Sequence, residues 1–187
     1  MVKGRAGMND GREKKISITD ITELGVMIAA LEVGKMALNV VPNVEIVTFL
    51  LILFTVYFGK KTLLAVASFI ALECFVFPAG LWVFMYIYIW PILVVLVLLL
   101  KKKGSYFMWC IVAGLYGLCF GAMGSLVYVV TSGPAAAFAW WIAGIPFDIV
   151  HGVANFVIML VLYPPMSRVF AAYCKKKTVR DERIRDK

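Results

Sequence analysis

Six apolar runs divided by short breaks, with basic residues confined to alternate breaks, leave this chain few ways to fold. The runs extend from about Thr19 to Val41, from the Pro42-Asn43-Val44-Glu45 break to Phe58, from Thr62 to Phe77, from Trp82 to Leu100, from Tyr106 to Val130, and from Phe147 to Tyr163. About 20 apolar residues in a helix cross the hydrocarbon core of a bilayer, and most of these runs approach that length. The second is shorter, so its ends must sit near the interfaces or its leading loop must dip inward. With 63% hydrophobic residues and a mean hydropathy of +0.91, the 187-residue chain is far more apolar than a soluble domain. The expected fold is an all-α integral membrane bundle of six transmembrane helices.

Charge placement gives the orientation. Of the 19 Lys and Arg residues, only Lys35 lies inside a run. The rest precede the first run, follow the second (Lys60, Lys61), follow the fourth (Lys101 to Lys103), or follow the last (Arg168 to Lys187). With an even number of spans, all these clusters share one side. The positive-inside rule then puts both termini in the cytoplasm. The net charge of +8 is accounted for by attraction to anionic membrane lipid, without nucleic acid. The domain reading follows: 1–17 a cytoplasmic basic tail, 18–165 the membrane domain, 166–187 a second cytoplasmic basic tail.

Local signals refine the spans. Ser17 or Thr19 is placed to cap the first helix, and Pro42 to end it. Gly25 with Ala29, and Ala30 with Gly34, are small residues four apart, which let another helix approach closely. Gly114, Gly117, Gly121 and Gly124 form a packing seam on the fifth span. Ala135 to Gly144 is apolar but short, and reads as an interfacial or re-entrant segment. Pro164-Pro165 is expected to stop the sixth span. The four cysteines lack metal-ligand spacing.

Polar residues inside such runs are costly, by several kcal/mol when unpaired, and mark function. Glu32, Lys35 and Asn39 stand at i, i+3, i+7 on one helical face, and Asp148, His151 and Asn155 repeat that spacing. With Asn43, Glu45 and Glu73 they converge on the leaflet away from the lysine clusters. Trp82 and Tyr86 head an aromatic stretch, WVFMYIYIWP, suited to stacking against a flat heterocycle. The residues expected to line a solute site are therefore Lys35, Asn39, Asn43, Glu45, Glu73, Trp82, Tyr86, Asp148, His151 and Asn155. A plainer reading pairs Glu32 with Lys35, and Asp148 with His151, as ties between helices. The set supplies no complete catalytic constellation, zinc motif or Walker lysine, so neither an enzyme nor a bound metal or cofactor is expected.

The ALEVGK, PNVE, WPIL, FG and GIPFDIVHGVANF segments, set in six spans with small pairs on the first helix, resemble an S component of an energy-coupling factor transporter. The resemblance covers about residues 18 to 165. It implies a subunit that captures a vitamin or related micronutrient under the loop between the first two helices. It also implies docking on a transmembrane scaffold bearing two ATPases. The positions matching the family's docking residues are Ala30 and Gly34, with Gly25 and Ala29 as second choice. The aromatic fourth span leans the substrate toward cobalamin or another large ring-containing ligand. Rival readings are a stand-alone proton-coupled secondary transporter, in which Asp148/His151 and Glu32/Lys35 relay protons, and a structural membrane protein.

Overall fold

The computed structural model describes residues 17–185. Apart from Ser17, the predicted basic tail over 1–17 lies outside the described residues. The described chain is helical throughout: α1 (Ile18–Leu38), α2 (Val47–Phe58), α3 (Lys61–Val76), α4 (Leu81–Leu100), α5 (Tyr106–Leu118), α6 (Phe120–Ser132) and α7 (Pro134–Arg185). Three stretches are long and apolar enough to cross a membrane: Leu81–Leu100, the α5–α6 rod Tyr106–Ser132, and Pro134–Arg180 within α7. The protein is thus an all-α membrane-type bundle. Helix α1 carries four charged residues, and α2 and α3 are short.

Helix α2 is the axis of the molecule. Its sequence, VTFLLILFTVYF, is apolar all round, and such a helix is stable only when neighbours cover every face. Residues Val47 through Thr55 are all buried, ringed by α1, α3, α4, α5 and α7. At 12 residues it measures about 18 Å. The loop over residues 39–46 therefore folds inward to meet its start. Glu45 anchors that start by accepting the Thr48 N–H at 2.9 Å.

At the other end, the basic end, α1 is clasped by its neighbours. Ser17 caps the helix in a reciprocal box with Asp20. Asp20 pairs with Lys61 of α3, while Glu23 takes Lys61 at 3.1 Å and, from α7, Lys177 at 2.6 Å and the Tyr173 hydroxyl at 2.9 Å.

Two sequence expectations about α7 are corrected. Ala135 to Gly144 is not a re-entrant segment, and Pro164-Pro165 does not stop the helix. Both belong to one helix of 52 residues, about 78 Å long. A proline removes an N–H and strands the carbonyl four residues earlier. The carbonyl that Pro164 frees is that of Leu160, and the Tyr106 hydroxyl of α5 donates to it. A neighbouring helix thus makes the lost bond good, as bilayer proteins commonly arrange. The segment 166–185, expected as a tail, continues the helix.

The fifth predicted span is broken at Cys119 (φ −90°, ψ −3°) into α5 and α6. Asp148 of α7 explains where: its Oδ1 accepts the Gly121 N–H at 2.9 Å, a donor that an unbroken helix would spend within itself. The glycine seam packs α5 and α6 against α7, as expected. A Cβ on Gly117 would stand 2.8 Å from the Gly152 Cα, so only a bare backbone fits.

Candidate functional site

Near the end opposite the lysine clusters, the 39–46 loop closes over α1, α2 and α4 to leave a cavity of about 200 Å³. Lys35, Asn39, Asn43, Glu45, Tyr86, Trp90 and Phe120 line it with five apolar neighbours. Asn43 takes a left-handed backbone (φ 60°), which asparagine tolerates better than most residues, and this turns the loop back toward the start of α2. The cavity mixes amides, one ammonium and one carboxylate with ring faces. That composition suits a small polar ring compound. Ligand pockets commonly measure about 300–1,000 Å³, so at about 200 Å³ this hollow is smaller than most.

One wall is an aromatic column. Trp82, Tyr86 and Trp90 stand one turn apart on α4 and meet edge to face, with centroids 5.3 Å and 5.4 Å apart. Trp90 continues to Phe120 at 5.6 Å, and Phe120 to His151 at 4.8 Å. Tyr86 is braced from α3 by Phe69, stacked at 17°. Four elements therefore fix the ring planes before any solute arrives.

Lys35 reaches from α1 into this wall. Its Nζ pairs with Glu73 of α3 and lies 4.5 Å from the Phe77 ring centre, 5.5 Å from Tyr86 and 5.6 Å from Trp82. Desolvated cation–ring contacts of this kind are worth up to about 2 kcal/mol. The predicted Glu32–Lys35 pair is corrected by this contact, because the ammonium turns across to α3. On the loop side, Glu45 Oε1 lies 3.1 Å from His151 Nε2. This link ties the loop to α7. The plainer Asp148–His151 pairing is also corrected, since Asp148 turns to Gly121.

The predicted site residues therefore divide. Lys35, Asn39, Asn43, Glu45 and Tyr86 line the cavity directly. Glu73 and Trp82 join it through Lys35, and His151 through Glu45. Asp148 lies at the α5–α6 break instead, and Asn155 is 1% exposed with neither end of its amide meeting a protein partner. Sequence reasoning left out Trp90 and Phe120. The spacing of Trp82, Tyr86 and Trp90 at i, i+4, i+8 could have found the first; nothing local marks the second.

On the small-residue ridge, Gly25 and Ala29 face outward, and a Cβ on Gly25 would meet nothing within 4 Å. Ala30 packs against the core, and Gly34 is covered by Ile46 and Leu50. The preferred outward pair is thus the second of the two. A separate hollow of about 290 Å³ at the basic end is walled mainly by Val26, Met27, Phe54, Phe58 and Phe170. Its one charged group, Glu23, is already engaged by two lysines. In comparisons with protein-family models, curated proteins and solved structures, the chain matches none.

Proposed function

We propose that this chain is the substrate-capturing subunit of an ATP-driven importer of the energy-coupling factor type, and that it binds a small heterocyclic micronutrient from outside the cell. In this reading it spans the membrane six times, counting α5 and α6 as one span, with both ends in the cytoplasm. The observation that carries it is the ring-walled cavity beside the 39–46 loop, at the end away from the lysine clusters. Binding is what such a site can do: Glu45 and the two asparagines give directional hydrogen bonds, and Tyr86 and Trp90 give stacking surface. The Glu45–His151 link holds the loop against α7 and is the latch in this reading.

The chain carries no Walker lysine motif, so ATP would be hydrolysed by partner subunits. The docking face in this reading is the outward stripe of α1 through Ile21, Gly25, Val26, Ala29, Val33 and Met36, which is apolar and interrupted only by small residues. In the rival proton-coupled transporter the expected relay groups are partnered differently, since Asp148 engages Gly121 and Lys35 engages Glu73.

The test is purification from a native-like host in lipid nanodiscs, mass spectrometry of the retained small molecule, and calorimetric titration of that compound. Saturable binding that is lost in Glu45→Gln and Tyr86→Leu, with helical content unchanged, is the expected result. A chain that folds yet binds neither its retained molecules nor any water-soluble vitamin or nucleobase overturns the proposal.

A further inference from the structure

Three ionisable groups meet between α1 and α3, and their charges do not cancel. Glu73 is wholly buried and Glu32 is 9% exposed. The Lys35 ammonium pairs with one oxygen of Glu73, leaving the other without a donor. Both oxygens of Glu32 are buried and also lack a donor. Glu32 stands one turn before Lys35 on α1, so the ammonium that reaches Glu73 brings the two buried carboxyls into one cluster, close enough to act on each other. Two carboxylates so placed repel unless something positive lies between them, and one ammonium balances only one of them.

Among the described residues, Lys35 is the one cation paired with this cluster. Helix α2, which also packs on α1, has no charged residue. Tyr86 of α4 also lies near Glu73, and Glu45 acts on Tyr86 from the loop. A neutral phenol and a further carboxylate add no positive charge.

We propose that Glu32 and Glu73 share one proton, forming a carboxylic acid–carboxylate pair held on α1 and α3, with Lys35 as counter-ion to the remaining charge. The proton supplies the missing donor, and each acidic residue then has a partner. The cluster becomes electrically neutral, which a membrane interior demands of a buried group. The cluster adjoins the solute cavity through Lys35, which lines it, and the assignment holds whether or not a solute binds there.

Infrared spectroscopy of the ligand-free protein in nanodiscs, with glutamate carboxyls isotopically labelled, reads the proton directly. At neutral pH the wild type should show the carbonyl stretch of a neutral glutamic acid, shifted in heavy water. Both Glu32→Gln and Glu73→Gln should lose it, because either remaining carboxylate then pairs with Lys35 alone. Glu32→Gln should also melt close to wild type, since its amide N–H stands where the proton stood. Absence of the band from wild type overturns the assignment, and so does its survival in both variants. A band that vanishes on adding sodium or potassium also overturns it, because a metal ion then occupies the place. If a variant fails to fold, the wild-type band and its response to salt still decide. Solute binding is read separately by titration, so either proposal can fail alone.

Discussion

Replacing Gly117 by alanine tests how the close approach of two helices holds the latch in place. The new Cβ would lie 2.8 Å from the Gly152 Cα, and 2.9 Å from both the Gly152 nitrogen and the His151 carbonyl carbon. These are backbone atoms, so no rotamer change relieves them. Comfortable carbon–carbon contact begins at about 3.5–4.0 Å, so α5 and α7 must separate by about 1 Å. Overpacking of this kind costs about 1–3 kcal/mol. For a chain of this size that lowers the melting temperature by about 2–12 °C. Because His151 precedes Gly152, the same shift carries its ring away from Glu45. A contact of 3.1 Å lengthened by about 1 Å is no longer a hydrogen bond. The variant should therefore melt lower and bind its solute more weakly, as read by differential scanning fluorimetry and calorimetric titration in nanodiscs. Gly144→Ala is the matched control, since its Cβ meets nothing within 4 Å and helix propensity favours alanine. Should Gly117→Ala melt at or above wild type with affinity unchanged, the seam does not position the latch and the reasoning fails.

Other perturbations probe separate joints. Tyr106→Phe strands the Leu160 carbonyl opposite Pro164 and should lower the melting temperature, whereas a melt unchanged from wild type would mean that the hydroxyl does not carry the helix past the proline. Burial alone pushes Glu45 up, but the His151 ring and the Thr48 N–H outweigh it and hold the carboxyl below its ordinary value of 4.5. Its contribution to stability is therefore full above that value and lost as pH falls through the lowered folded value; a melting curve against pH should flatten in this window in Glu45→Gln. Asp148→Asn keeps an oxygen for the Gly121 N–H and should fold and bind nearly as wild type, while Asp148→Leu leaves that donor bare and should unfold at least about 1 kcal/mol sooner by thermal melting. Gly25→Leu should leave melting and solute binding unchanged yet abolish copurification with a scaffold and its ATPases; retained copurification would move the docking face elsewhere.

The all-helical bundle was legible in the sequence because hydrocarbon makes backbone hydrogen bonding obligatory within each segment, so the length and polarity of a run nearly dictate a helix. The cost of polar groups in such runs marked Lys35, Asn39, Asn43 and Glu45, which line the cavity, but equally Asp148 and Asn155, which do not; Tyr86 was marked by its aromatic stretch. What the sequence left open was partnership. From spacing alone, Lys35 could reach Glu32 on its own helix, but the fold offers it a fully buried carboxylate on α3 among three rings. Likewise, Pro164 and Pro165 carry the local signature of a stop, yet α7 runs on, and a tyrosine from α5, more than fifty residues earlier, donates to the carbonyl that Pro164 frees. Residue type fixed which groups needed partners; the crossing of helices distant in sequence decided which partners they found.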